Sequence, residues 1–322
     1  MKYVYLDWNV FNKVEKINDM GSPEREVYTH LRELILQKQF TVPYSNAHIN
    51  DLLRGYHKNS DYIDKHLQTL AELTGNLCVA QYWGEPTTRW HRRNPKDFFY
   101  SALEEGDTVA DSFSSLFDYF EDDPLIRNAW ELQKAILKKQ TVDQEFKKIY
   151  AADPFFNLMF PKTKVEMNVL ALCEDIYNFS NRIKSDYNLY KNYRKFLNQL
   201  RAKLPQYQNL YNAAQNKFLV TPKYLTWDEM WEEANPKVQT TKNNPYDKIL
   251  NLFTTTDLKG YRQDEKFANL IDDALHCFYG AHCNYFLTID GRCFDKSQKV
   301  YEELKISTIV LKPEEFIELA SS

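Results

Sequence analysis

The most constraining feature of this chain is that both ends follow one pattern, a short apolar run that stops at an aspartate. Near the start, Tyr3-Val4-Tyr5-Leu6 runs into Asp7; near the end, Tyr285-Phe286-Leu287-Thr288 runs into Asp290. Runs this short, rich in aromatic and β-branched residues and apolar throughout, read as strands buried on both faces. Between and after them lie helical periodicities. Residues 23–37 place Val27, Leu31, Leu34 and Ile35 on one face. Phe40-Thr41-Val42-Pro43 is a second strand, after which Ser45-Asn46 opens a helix carrying Ile49, Leu52 and Leu53. Residues 273–282 form a helix with Ala274, Cys277, Phe278 and Ala281 on one face, and Asp273 falls in its first turn. Ile309-Val310-Leu311 is a closing strand, and Pro313-Glu314-Glu315 starts a last helix with proline in a first-turn position. Strands that alternate with helices predict an α/β fold, a mostly parallel sheet covered on both faces in three αβα layers.

Between these ends the pattern changes. From about 81 to 245 strand signals thin out and long, charged, tyrosine-rich helical periods take over, which predicts a large, mainly α-helical insertion. Residues 1–80 and 246–322 then form one discontinuous α/β core. Only 8 glycines against 22 tyrosines and 20 phenylalanines agree with a mainly helical body. A hydrophobic fraction of 43% and a charged fraction of 27% are ordinary for a soluble globular protein, so disorder is not the expectation.

The insertion is polarised. Glu104 to Asp123 holds eight acids and no Lys or Arg, whereas Arg182 to Lys223 holds nine Lys or Arg and one acid, Asp186. The basic stretch also carries Tyr187, Tyr190, Tyr193, Tyr207 and Tyr211. It reads either as a solvated helix face or as an RNA-binding face, where cations neutralise phosphates and rings stack on unpaired bases. Arg89-Trp90-His91-Arg92-Arg93 would extend it. Because the net charge is −4, nucleic acid would have to be met by a local face of this kind rather than by global attraction. The tryptophans Trp83, Trp90, Trp130, Trp227 and Trp231 read as core and inter-helix packing residues.

Five cysteines, with no paired spacing, favour reduced thiols over a disulfide framework. With no apolar leader and no run long enough to span a bilayer, the expectation is a cytoplasmic protein without membrane association.

The chemistry suggested by the pattern lies in four acids. In an open parallel sheet, functional groups gather at the carboxyl ends of the strands. Asp7 and Asp290 end strands, Asp51 follows the second strand, and Asp273 opens the helix before the Asp290 strand. Each alone reads more readily as a turn or cap residue than as a functional one. Together, carboxylates repel unless protons or a cation neutralise them, and hard oxygens suit Mg²⁺ or Mn²⁺. His276, Cys277, His282, Cys283 and Cys293 do not have zinc-ligand spacing and read as core. Asn9, two residues after Asp7, argues against a haloacid-dehalogenase-type phosphatase, which needs a second Asp there. No Gly-rich phosphate loop is present.

Taken in order, these residues resemble the PIN-domain family of nucleases. The carriers are Tyr5-Leu6-Asp7-Trp8-Asn9; Ser45 through Asp51; Asp273-Ala274-Leu275-His276; Thr288-Ile289-Asp290 with Phe294; and Pro313-Glu314-Glu315-Phe316 after the closing strand. The resemblance covers about half the chain. It departs at Asp51, where Glu is commoner, and in the long insertion. It implies a PIN-like fold and a metal-dependent endoribonuclease, a bacterial toxin or defence enzyme in many members. Asp7, Asp51, Asp273 and Asp290 would hold Mg²⁺ or Mn²⁺. Asn9 and Thr288, and more weakly Ser45, would position water or phosphate, and Asp272 would stand beside the site. The partners implied are single-stranded or structured RNA, and an inhibitory protein or a second copy of the chain. The rival reading is a non-catalytic nuclease fold that binds RNA or protein.

Overall fold

A computed structural model gives the fold and describes residues 2–82, 85, 87–106, 112–115, 124–142, 147–148, 151, 153–202 and 244–321. The chain divides into two compact units. Among the described residues, one holds 2–105, 244–264 and 269–321, and the other holds 106–202 and 265–268.

The first unit is α/β. Strand β1 (Lys2–Leu6) leads into α1 (Trp8–Glu15) and α2 (Ser22–Leu36), then β2 (Phe40–Thr41), β3 (Tyr44–Ser45), α3 (Asn46–Tyr56), α4 (Ile63–Thr74), β4 (Leu77–Ala80), β5 (Arg89–Arg92) and α5 (Pro95–Gly106). Four strands form an all-parallel sheet in the order β2-β1-β6-β7, with β6 at Tyr285–Leu287 and β7 at Ile309–Leu311. Three more form a second sheet, β3-β4-β5, in which β3 and β4 are parallel and β5 runs antiparallel to β4. The chain passes between sheets at Val42-Pro43, where Pro43 has no N–H to give to a ladder. The second strand expected over 40–43 is therefore two short pieces, one in each sheet.

β1 shows why both faces must be covered. Successive side chains point to opposite faces. Val4 and Leu6 enter a core with Val10, Phe11, Leu31 and Leu67 from the helices that follow. Tyr5 faces the other way, its ring 6.4 Å from that of Tyr279 and 5.7 Å from that of Phe286. After the helices of the second unit the chain continues with α11 (Pro245–Leu258), α12 (Phe267–Gly280), β6, α13 (Gly291–Leu304), β7 and α14 (Pro313–Ser321). α12 lies on that second face, where His276 and Tyr279 meet Tyr5, whereas α14 packs on α2 and places Phe316 in the Val4–Leu6 core. The architecture is the predicted α/β, mostly parallel sheet between helical layers.

Three expectations shift. α12 begins at Phe267, so Asp273 stands well inside the helix rather than in its first turn; Leu270 continues the Ala274–Cys277 stripe one turn backward and is itself buried. β4 and β5 went unread, because β5 is the polar run Arg89-Trp90-His91-Arg92, with no apolar period. It pairs with β4 through Leu77↔Arg92 to Ala80↔Arg89, which ties residues 89–105 to the α/β unit beyond the boundary expected at 80. Trp90 is 37% exposed, with Tyr3 5.0 Å away, and is not a core residue.

The described part of the second unit is helical: α6 (Pro124–Lys139), α7 (Phe155–Met159), α8 (Pro161–Glu166), α9 (Val169–Ser185) and α10 (Tyr187–Ala202). Phe155 stacks on Phe196 at 4.8 Å and meets Phe179 and Tyr193. Asp175 caps α8 by accepting from the Thr163 N–H at 2.6 Å and its hydroxyl at 2.7 Å. This packing removes two rings from the expected base-stacking face: Tyr190 is fully buried, and Tyr193 packs on Phe179. Tyr187, 41% exposed, stays outside. Tyr207, Tyr211, Trp83, Trp227 and Trp231 lie outside the described residues. Among the described residues, no helix is long and apolar enough to cross a membrane.

Two measurements check the packing. A Cβ at Gly280 would stand 2.8 Å from both Phe286 Cγ and the Tyr301 hydroxyl, which donates to the Cys277 carbonyl. Gly280→Ala is expected to cost about 1–3 kcal/mol in urea unfolding, as overpacking does. Between α1 and α4, burial tends to raise the Glu15 carboxyl, but the His66 hydrogen bond at 2.8 Å and the charges of His66 and Lys65 outweigh it and hold Glu15 below its ordinary value of 4.5. The ionised form is the stabilised one, so its contribution is present above that value and lost as pH falls below it. Glu15→Gln is expected to lower Tm by about 3–6 °C at pH 7. The difference from the unaltered protein should narrow as the melts are repeated at successively lower pH.

Candidate metal centre

Asp7 follows directly on β1 and caps α1. Its N–H donates to the Leu287 carbonyl at 3.0 Å, extending the β1–β6 ladder by one bond. Its Oδ1 accepts the Val10 N–H at 2.8 Å, and its Oδ2 accepts the Thr288 hydroxyl. Thr288 also accepts the Asp290 N–H at 3.1 Å, so one hydroxyl joins the ends of two neighbouring strands. Asp290 caps α13, its Oδ1 accepting from the Arg292 N–H at 2.7 Å and the Cys293 N–H at 3.0 Å. Both aspartates are thus helix caps as well as site residues. Anions at helix N-termini are stabilised by the free N–H groups there.

α3 brings Asp51. Its cap, Ser45, accepts the Ala47 N–H at 3.2 Å, and its own N–H donates to His48 Nδ1 at 3.0 Å, a capping box closed by histidine. His48 Nε2–H then donates to the Leu6 carbonyl at 2.8 Å, locking α3 to the end of β1. Burial pushes His48 down to about 3, so it stays neutral. Asp51, one turn further along, is bonded through Oδ2 to His276 Nε2 at 2.7 Å and through Oδ1 to Arg54. The other side of His276 meets the Tyr5 hydroxyl at 2.9 Å, which in turn meets Ser45 Oγ at 2.8 Å. A buried hydrogen-bonded chain therefore runs Asp51–His276–Tyr5–Ser45–His48 to the backbone beside Asp7. Ser45, weakly expected to position substrate, is instead a fully buried link in this chain.

One cavity of about 320 Å³ collects the result. Asp7, Asn9, Asp51, Asp273 and Asp290 line it, joined by Asp264 and Asp272. Thr288 lies behind Asp7. Two arginines, Arg54 and Arg292, and His276 also face this space. Six aspartates around three basic groups leave an anionic cavity, and the carboxyls respond accordingly. Burial pushes Asp7 up to about 6, against the lowering influence of His276, Thr288 and the Val10 N–H. Burial also lifts Asp272 to about 6 although Arg54 pairs with it. Asp273 is pushed well above the carboxylate range by burial, then by Asp264 and Asp290. Asp51 goes the other way: burial opposes its charge, but His276 and Arg54 hold it below its ordinary value.

The residues missed in sequence are Arg54, Asp264, Asn269, His276 and Arg292. Two carried a signal: Arg54 stands three residues after Asp51, and His276 three after Asp273, on shared helix faces. Behind the cavity, Lys296 is completely buried, its Nζ bonded to Asp264 and, at 3.1 Å, to Asp257, and 4.7 Å from the Phe253 ring centre. Burial disfavours its charge, but Asp264 and Asp257 outweigh this and hold it above its ordinary value.

Hard carboxylate oxygens fit Mg²⁺ or Mn²⁺ in kind, and the Asp273 carboxylate accepts no hydrogen bond from any described residue. Among the described residues, no three His, Cys, Asp or Glu side chains are grouped so as to hold an ion as they stand. Asp51 in particular is already satisfied by Arg54 and His276. Cys277, Cys283 and Cys293 are buried free thiols. Searched against protein-family models, curated proteins and solved structures, the chain matches none of them.

Removing the buried ammonium would take away the cation that Asp257 and Asp264 share. Lys296→Met is expected to destabilise the protein by about 3–5 kcal/mol. Adding Asp257→Asn and Asp264→Asn should recover most of the loss, as read by the urea midpoint.

Proposed function

We propose that this chain is a divalent-metal-dependent nuclease of the PIN-like kind, cutting RNA internally at this cavity. The observation that carries the reading is that four aspartates far apart in sequence, 7, 51, 273 and 290, line one small anionic cavity at the carboxyl ends of parallel strands. Such a gathering costs free energy as a structural device, because burial pushes Asp7 and Asp273 above the carboxylate range and neighbouring acids add to it.

Asp7, Asp273 and Asp290 are the residues that would hold the ion, with Asn9 beside them. Mg²⁺ or Mn²⁺ bound there supplies an activated water and neutralises charge on the phosphodiester. The chain's own part is orientation. Thr288 and the Val10 N–H fix both oxygens of Asp7, and the α13 N-terminus fixes Asp290. His276 and Arg54 hold Asp51. Arg54, already paired with Asp51 and Asp272, and Arg292 are cations at the cavity whose charge offsets the repulsion the aspartates alone would give a phosphate.

The second reading, a non-catalytic module that binds RNA or protein, draws on one observation. Arg54 already bridges Asp51 and Asp272, a neutralisation that needs no metal.

Cleavage separates the two. Incubated with single-stranded and structured RNAs, the protein is expected to cut with Mn²⁺ or Mg²⁺ and to stop with EDTA. Asp273→Asn should lower the rate by more than about 100-fold while circular dichroism and Tm hold steady, since even outer partners of a metal site are worth 10–100-fold. A folded protein that binds RNA under every metal condition and never cuts it would establish the binding module instead.

A further inference from the structure

A second cavity, of about 260 Å³, adjoins the acidic one and shares Trp8 and Asp51 with it. Its chemistry is different. Trp8, Tyr56 and Tyr62 supply aromatic surface, Leu52 and Ile63 supply aliphatic surface, and Asn59 supplies an amide at the rim. No Lys or Arg lines it, so it does not attract phosphate. His66, at its edge, is already engaged with Glu15 and stands edge-on to the Trp8 ring at 5.2 Å.

Two further observations point to an occupant rather than to loose packing. Tyr62 is 59% exposed at the cavity mouth, where a large ring gains nothing from the core. Gly55 is the next-to-last residue of α3 and forms an exposed part of the cavity wall. A Cβ there would meet nothing within 4 Å, so packing does not require the glycine. What its missing side chain provides is room in the cavity.

We infer that this cavity is a base-binding subsite, taking one unpaired nucleobase of the RNA strand whose phosphate lies in the acidic cavity. The inference rests on the nuclease reading for its substrate. A base is planar, neutral and amphipathic, which suits an aromatic wall with an amide at the rim and no Lys or Arg. The volume falls just below the roughly 300–1,000 Å³ of clefts for drug-sized ligands, fitting one ring system rather than a longer segment. Because Trp8 and Asp51 face both cavities, a strand with its phosphate in one has its neighbouring base at the other. Bases stacked within a duplex are not available to such a pocket, so the site selects single-stranded or splayed nucleotides.

The test uses the full-length protein and single-stranded RNA oligonucleotides carrying one 2-aminopurine, with Ca²⁺ in place of Mg²⁺. Gly55→Leu fills the pocket without touching the core and is expected to keep or raise Tm. Tyr62→Ala removes an exposed ring. Wild-type protein should quench 2-aminopurine, and both variants should bind about 10-fold more weakly with the quench lost, the scale of one lost stacking contact. An oligonucleotide abasic at the probed position should bind wild type and variants alike. Unchanged affinity and quench in both variants, or no quench by wild type, overturns the subsite. Cleavage measured separately with Mn²⁺ distinguishes the failures: a quench without cutting refutes the nuclease reading alone, and cutting without a quench refutes the subsite alone.

Discussion

The burial of several carboxylates in one place is the constraint that organises the α/β unit. Each of Asp7, Asp272 and Asp273 is raised above the carboxylate range, first by burial and then by neighbouring acids. A fold that kept such groups together only for stability would gain by replacing them with amides. Here the surroundings are arranged to hold them instead: helix N-termini under Asp7 and Asp290, a threonine hydroxyl between them, Arg54 across Asp51 and Asp272, and a buried lysine behind Asp264. The compensation is distributed over α1, α3, α12 and α13, which meet at this one place.

The two faces of β1 divide the labour. Val4 and Leu6 anchor the apolar core under α1 and α2, whereas Tyr5, on the opposite face, links His276 to Ser45. The strand that carries Asp7 thereby also fixes the histidine that orients Asp51. Distortion at Tyr5 would be felt at both acids, which ties the geometry of the cavity to the integrity of the central sheet.

Much of this was legible in the sequence. β1, β6 and β7 were readable because parallel strands covered on both faces are continuous apolar runs, and Asp7, Asn9, Asp51, Asp273 and Asp290 could be placed by their positions around those strands. What was not legible depends on long-range pairing. Arg54 looks like an ordinary cation in the last turn of a helix, and its contact with Asp272 lies across most of the chain. Lys296 sits in a helix of charged appearance and yet is fully buried, because Asp257 and Asp264 arrive from another segment. His276 read as core beside Cys277, and only the fold brings Asp51 to its ring. β5 escaped because an edge strand needs no apolar period, and the start of α12 because Leu270 extends its stripe beyond Asp273. The tyrosines of the basic stretch show the converse: Tyr190 and Tyr193 are needed for packing and so cannot serve as an exposed stacking face.

The account turns on whether the aspartate cavity takes up a divalent cation. Titrating the purified protein with Mn²⁺ at pH 7.5, and following free Mn²⁺ by electron paramagnetic resonance, asks this without reference to any substrate. Saturable binding that Mg²⁺ displaces, accompanied by a rise in Tm that grows with the concentration of ion, is the predicted result. A protein that leaves the Mn²⁺ signal and its own Tm unchanged up to millimolar ion would contradict the account, and the cavity would then be a closed network of aspartates, arginines and histidine.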